Sequence, residues 1–227
     1  MSKRRLQRTL KHQLKLRKYV MTSSPGIVDQ TVLKLTPPLP VASDVAASDL
    51  KNHLTQILKL RKSNRDFSDR DISVETLSRL LWSAFGINRP EGSHRTAPSA
   101  KNWQEIDIYV ARSDGLYLFD PHAFVLSLVR KEDLRGATGW QDFVPHVPIN
   151  LVYVANLEKM GDAPRTEKKF YAALDVGFIS QNVYLFCAAE GLGTVVRGWV
   201  DRPKLAKMMG LSVAQRIIVV QSVGYSR

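Results

Sequence analysis

Between His94 and Ala111 the chain reads HRTAPSAKNWQEIDIYVA. Pro98, Ser99 and Ala100 form a turn, and Asn102 and Gln104 follow it directly before an alternating, strand-like run. Two amides and a hydroxyl donate and accept hydrogen bonds but do not readily exchange protons. They suit the edge of a flat, polar-rimmed ligand better than acid–base work. In RKSNRDF, residues 61–67, the pair Arg61 and Arg65 brackets Ser63. Guanidinium forks with a hydroxyl between them suit a phosphate. The same cations also suit a helix C-terminus for dipole reasons alone, and spacing leaves both uses open. In AAEGLG, residues 188–193, Glu190 and Gly191 mark a tight turn with backbone N–H groups, although an ordinary glycine helix stop is the simpler account of that turn by itself.

Together the three segments describe a host for a planar cofactor with a phosphate tail. Amides would read the ring edge, a backbone N–H would face a ring nitrogen, and arginines would hold the phosphate. A cofactor that carries the electrons itself asks the protein for binding, orientation and tuning, not for an acid–base pair.

Other chemistries find less support. GLGTVV, residues 191–196, has two glycines of a dinucleotide fingerprint, but Val196 stands where the third is needed, and the stretch leads from helix into strand, the reverse of the required order. There is no GxxxxGK[ST] loop. The histidines at 12, 53, 94, 122 and 146 show no metal-ligand spacing with one another or with Cys187, so no metal is expected. Nothing resembles a nucleophile elbow. Cys187, in YLFCAAE, reads as a small buried core residue.

The elements that must position these segments are legible from periodicity. A helix is expected from a Ser48 N-cap to near Arg61, with Leu50, Leu54, Ile57 and Leu58 on one face. A second follows Ser73, with Leu77, Leu80, Leu81, Ala84 and Phe85 in register and Gly86 as its stop. IDIYVA (106–111) alternates as a strand, and GLYLF and FVLSLV flank a hairpin at 120–123. A short helix is expected from Lys131 and a buried strand at 148–155. The longest element runs from about Glu167 to Gly191, apolar almost all round as a central helix would be. TVVRGWV and RIIVVQSVG read as strands on either side of a helix with Asp201 as cap, Pro203 in its first turn and Gly210 past its end. The order implies an α+β fold, a mixed sheet packed by helices that include one long central helix.

A chain of 227 residues with 44% hydrophobic and 24% charged residues has the make-up of a globular protein. No stretch approaches the roughly 20 apolar residues of a bilayer span. The net charge of +12 suggests nucleic acid until it is located. Residues 1–20 hold eight Lys/Arg and no acid, which leaves 33 − 8 = 25 basic against 21 acidic residues, or +4, for the rest. The tail could meet a nucleic acid or an anionic membrane surface. A solvated tail, or codons upstream of a start at Met21, is the simpler account, and a nucleic-acid partner is not expected. Residues 21–46, with LTPPLP at 35–40, read as an extended arm ahead of a domain at 48–227. No apolar h-region follows the basic residues, so export is not indicated and a cytoplasmic location is expected.

RKSNRDFSDRDISVETLSRLLWSAFGINRP, RTAPSAKNWQEIDIYV and DVGFISQNVYLFCAAEGLGTVVRG, in that order, resemble the nitroreductase family of FMN-dependent oxidoreductases, in the branch that includes azoline dehydrogenases. The resemblance covers about 48–227 and implies a sandwich that forms an intertwined homodimer with two FMN sites at the subunit interface. It implies Arg61, Ser63 and Arg65 at the phosphate and ribityl chain, with Arg227 also at the phosphate. Lys62 would set its backbone at the pyrimidine edge. Pro98, Ser99 and Ala100 would line the isoalloxazine from the other subunit, with Asn102 and Gln104 near the ribityl chain and flavin edge. Glu190 and Gly191 would form the turn at N5. The implied activity passes a hydride from NADH or NADPH to a small acceptor such as a nitroaromatic or quinone. The alternative is azoline dehydrogenase-like oxidation of peptide heterocycles. Those enzymes use an adjacent Lys-Tyr pair, whereas here Phe170 separates Lys169 from Tyr171.

Overall fold

Strand β7 (Ile149–Asn156) is buried on both faces along nearly its whole length, as an interior strand covered by helices on both sides must be. In this computed structural model the chain divides into two units, 1–30 and 31–227. The structure describes residues 31–36 and 47–227, with side chains in the latter stretch from His53 onward. The basic tail, most of the Pro-rich arm, and the side chains of Ser48 and Leu50 therefore lie outside the described residues.

The sheet strands are β1 (Val32–Lys34), β4 (Ile106–Arg112), β5 (Gly115–Asp120), β6 (Val125–Arg130), β7, β8 (Leu192–Arg197) and β9 (Gln215–Tyr225). They lie in the order β1-β6-β5-β4-β7-β9-β8, and a small ribbon pairs β2 (Ile87–Arg89) with β3 (His94–Arg95). The helices are α1 (Ala47–Leu60), α2 (Val74–Phe85), α3 (Arg165–Glu190) and α4 (Arg202–Met209). Every strand pairing is antiparallel, which corrects the expected mixed sheet. The reason is insertion: β7 and β8, joined through α3, point the same way, but β9 lies between them and runs against both.

Alternation assigns the two layers. Ile108 and Val110 of β4, opposite Tyr153 and Leu151 of β7, face α2 and α3. Tyr109, Ala111, Val152 and Val154 face the other way, onto Leu205 and Met209 of α4. Burying each such large apolar side chain contributes about 1.5–3 kcal/mol.

Local chemistry sets the helix ends much as the sequence suggests. Ser73 accepts a hydrogen bond from the Thr76 N–H at the start of α2, and the Gly86 N–H donates to the Trp82 carbonyl at its end. Asp201 caps α4 by accepting from Lys204, and Gly210 closes it at φ 71°, where a glycine costs least. The first helix begins at Ala47, so Ser48 lies inside it and is not its cap. Its expected apolar face is not covered: Leu54 and Leu58 are about half exposed. The helix expected from Lys131 is a single 3-10 turn, Arg135–Thr138. Asp133 draws off both the Arg135 N–H and its guanidinium, and glycines at 136 and 139 discourage propagation.

Among the described residues α3 alone is long and apolar enough, by length and composition only, to cross a membrane. Its composition has a cause inside the fold. Ala172, Val176, Ile179, Val183 and Cys187 enter the sheet-packed core, and burial pushes the Cys187 thiol up. Phe170, Leu174 and Phe178, spaced one helical turn apart, form an exposed apolar stripe on the same helix.

Candidate functional site

The residues singled out from sequence gather in two clusters, at opposite ends of α3. The first surrounds a cavity of about 270 Å³ lined by Lys62, Asn64, Tyr184, Gly191, Thr194 and Ser226 among others. Residues 61–66 reach it because the Asn64 N–H donates to the Thr194 carbonyl, 2.9 Å away, and Asn64 Nδ2 donates to Ser226 Oγ at 2.7 Å. These contacts bind the segment after α1 to the start of β8 and the chain's last residues.

Tyr184 organises this end. Its hydroxyl accepts from the Val196 N–H at 3.0 Å and lies 2.9 Å from Ser63 Oγ. Tyr184 can therefore donate its O–H to Ser63 Oγ, which leaves the Ser63 O–H to donate to a ligand oxygen. Arg61 stacks over the same ring, 5.4 Å from its centroid. Lys62 and Arg65 are exposed, and exposed Arg227 lies 3.9 Å from Asp66. Lys62 lines the cavity itself, which is polar along Asn64, Thr194 and Ser226 and apolar along Leu60, Ala188 and Leu192. With Arg61 and Arg65 beside it in sequence, this edge is suited to an anion.

The turn at the end of α3 is less open than expected. Gly191 adopts φ 68° and its N–H bonds to the Cys187 carbonyl, so it meets a ligand only as a shared donor, as is common at helix termini. Glu190 turns its carboxylate away, onto Arg79, in a two-point pair at 2.7 and 2.9 Å. Two residues on, a Cβ at Gly193 would sit 2.5 Å from Asn64 Nδ2 and 3.1 Å from Ser226 Oγ. Gly193→Ala is therefore expected to cost about 1–3 kcal/mol by overpacking, read as a lower denaturant midpoint at unchanged slope.

The second cluster is Pro98–Gln104, beside the other half of α3. The Ala100 N–H donates to the Asp175 carboxylate at 2.9 Å. Lys101, Asn102 and Gln104 all sit at φ near +50°, a conformation that non-glycine residues hold only when their surroundings fix it. The Gln104 N–H donates to Ser99 Oγ at 2.8 Å, and its side-chain oxygen accepts from buried Arg95 at 2.9 Å. Its amide nitrogen donates to the Ser93 carbonyl and to Asn102 Oδ1. Most of Gln104's bonding capacity is thus spent inside the loop, whereas Pro98 and Asn102 are exposed. Trp103 packs edge-on against Tyr171, and Lys101 pairs with Glu167.

From Asp175, behind the wall, to Tyr184 and Gly191, which line the cavity, is nine to sixteen residues of chain, or roughly 14–24 Å at 1.5 Å per residue. One chain therefore keeps its phosphate-suited end and its flat amide wall well apart. Tyr184, Arg95, Glu105 and Asp175 were not singled out from sequence. The available signals were a tyrosine and an aspartate inside an otherwise apolar helix, and an acid opening a strand.

The nitroreductase family model matches residues 58–225. The chain belongs to the nitroreductase family. A nitroreductase homologue of Methanocaldococcus jannaschii is 32% identical over 155 residues, covering 64% of this chain and 78% of that one. The crystal structure of a nitroreductase homologue from Ralstonia eutropha superposes with a TM-score of 0.79 at 38% identity, covering 91% of this chain and 95% of that one. Two more distant structures share the fold. One is a chain of the Escherichia coli microcin synthetase complex (TM-score 0.68, 19% identity, 93% and 81% coverage). The other is the NADPH:FMN oxidoreductase of Vibrio harveyi (TM-score 0.59, 18% identity, 77% and 69% coverage). As a nitroreductase-family member the protein is an oxidoreductase, and its α+β architecture is that of the family.

Proposed function

We propose that this nitroreductase-family protein is a homodimeric FMN-dependent oxidoreductase whose flavin bridges the two clusters across subunits. The observation that carries the reading is their separation along α3. In each chain the anion-suited cavity and the amide wall stand apart along α3, the wall at Asp175 and the cavity at Tyr184 and Gly191. Antiparallel association of two copies would place the cavity of one beside the wall of the other. The exposed stripe Phe170, Leu174 and Phe178, together with Leu54 and Leu58 of α1, supports such an association, because apolar faces of this kind mark interfaces.

The residues present fit the cofactor. Arg61, Ser63, Arg65 and Arg227 would take the phosphate, and Lys62 would offer its backbone to the pyrimidine edge. Pro98, Ser99 and Ala100 of the second copy would lie along the ring, with Asn102 at its polar rim and Gln104, its amide spent on Arg95, Ser93 and Asn102, holding that rim in place. Glu190 and Gly191 would contribute backbone only. A bound flavin would supply hydride transfer from NADH or NADPH to a small oxidised acceptor such as a nitroaromatic or quinone. The protein's share is to position the reactants, exclude water and stabilise negative charge with N–H groups and cations.

The visible spectrum of the purified protein, taken before and after anaerobic NADH or NADPH, tests this. A yellow protein bleached by either nucleotide is expected. A flavin that neither nucleotide reduces would replace the nicotinamide with a substrate that donates electrons itself, as an azoline does. A colourless protein that takes up no added FMN would overturn the proposal.

A further inference from the structure

Beneath the Pro98–Gln104 wall lie two buried acids that the proposed chemistry does not use. Glu105 is fully buried and Asp175 is 1% exposed. Glu105 accepts from the Ser99 hydroxyl through Oε2, while its Oε1 has no hydrogen-bond partner. Ser99 in turn accepts the Gln104 N–H, and Asp175 accepts the Ala100 N–H. The two carboxyl groups are close enough to perturb each other's ionisation. Nearby cations are otherwise engaged: buried Arg95 with Gln104 Oε1 and the Phe85 carbonyl, Lys101 with Glu167, Lys159 with Asp107 and the Gln104 carbonyl, and Lys168 with the Leu157 carbonyl. Among the described residues no ion pair includes either acid.

Two buried carboxylates side by side without a cation are not tenable, whereas one proton between them satisfies the orphaned oxygen. We infer that Glu105 and Asp175 share a proton that locks the strained Pro98–Gln104 segment in place, making them positioning residues for the wall that faces the cofactor. Both acids grip the start of the segment, Glu105 through Ser99 and Asp175 through the adjacent Ala100, and Ser99 in turn holds the far end through the Gln104 N–H. When the proton leaves for solvent, the two negative charges repel, and the segment must open to hydrate them. Burial pushes Glu105 up to about 7 and raises Asp175 as well. A carboxyl raised in the folded state is held protonated there, so the lock is complete at acid pH and is lost as pH rises through about 7.

The assignment of this wall to a flavin rests on the proposed function, but the lock does not need the flavin. The test is therefore amide hydrogen exchange of Ala100, Asn102, Trp103 and Gln104 in flavin-free, full-length protein, at about pH 6 and about pH 9, against Glu105→Gln at the same pH. The E105Q side chain carries a permanent N–H toward Asp175 and keeps an oxygen for Ser99. Wild type and E105Q should exchange alike at the lower pH, with wild type about tenfold or more faster at the higher. Asp175→Asn, which retains an acceptor for Ala100 and brings its own N–H, should flatten the pH response in the same way. FMN titrations should follow, with wild type losing affinity relative to E105Q over the same interval. Equal exchange of wild type and E105Q at about pH 9 would overturn the lock, as would a pH response that survives in both variants. Failure to bind FMN at any pH would remove the flavin reading and leave the exchange result to decide the lock alone.

Discussion

Arg65→Ala is expected to weaken FMN binding by about 10- to 150-fold, the equivalent of one charge-assisted hydrogen-bonded contact worth about 1.5–3 kcal/mol. The same change should leave the flavin-free protein's stability within about 0.5 kcal/mol, the usual range for surface positions. The separation of these effects is what makes the substitution informative. Arg65 is exposed and makes no hydrogen bond or ring contact among the described residues, so its removal takes nothing from the fold. Arg61 would be a poorer choice, because it also stacks on Tyr184 and its loss would disturb the ring that holds Ser63 and β8 together. Arg65→Lys keeps the charge but loses the planar fork, and should fall between wild type and alanine. Isothermal titration at two salt concentrations checks all three proteins. An unchanged Kd for R65A would move the phosphate away from this cavity and leave Arg65 as an ordinary solvated cation after a helix end.

Much of this was readable before any coordinates. Ser73, Gly86, Asp201 and Gly210 announce helix ends because each acts through its own backbone or a neighbour's, and such local chemistry survives in a one-dimensional pattern. The long-range facts do not. That β9 inserts between β7 and β8 depends on pairings far apart in sequence, and the apolar runs of all three strands are compatible with either sheet order. Arg61, Ser63 and Arg65 were visible as an anion-suited group by type and spacing. Tyr184, which holds Arg61 and Ser63, was hidden, since one tyrosine in an apolar helix usually signifies packing. Gln104 shows the opposite limit. Its type suggests a ligand-reading amide, but Arg95, Ser93 and Asn102 occupy its oxygen and both its N–H donors, a fact that only folding reveals.

Arg197→Met should destabilise the protein by about 3–5 kcal/mol, the range for removing one partner from a buried charged network. Arg197 is 4% exposed, and burial lowers its guanidinium to about 10, so it stays charged at neutral pH. No carboxylate among the described residues neutralises it. It donates instead to Ser222 Oγ at 3.0 Å, the Thr138 carbonyl at 3.0 Å and Asn150 Oδ1 at 2.9 Å, joining β8 to β9, to β7 and to the 3-10 turn at Arg135–Thr138. Methionine fills much of the space but leaves the Thr138 carbonyl without a donor, while Ser222 Oγ and Asn150 Oδ1 keep only their bond to each other. An orphaned buried acceptor costs about 1–3 kcal/mol. Lysine can reach only some of them and should recover part of the loss. Arg197 ends β8 three residues beyond Thr194, which lines the cavity, or roughly 10 Å along the strand at about 3.4 Å per residue, and its guanidinium is spent on Ser222, Thr138 and Asn150. FMN affinity of the folded fraction should therefore be unchanged in R197M, the reverse of the pattern in R65A. Urea denaturation with and without FMN measures both quantities. A loss below about 1 kcal/mol would mean that the Thr138 loop can refold around water and satisfy the freed groups without the arginine.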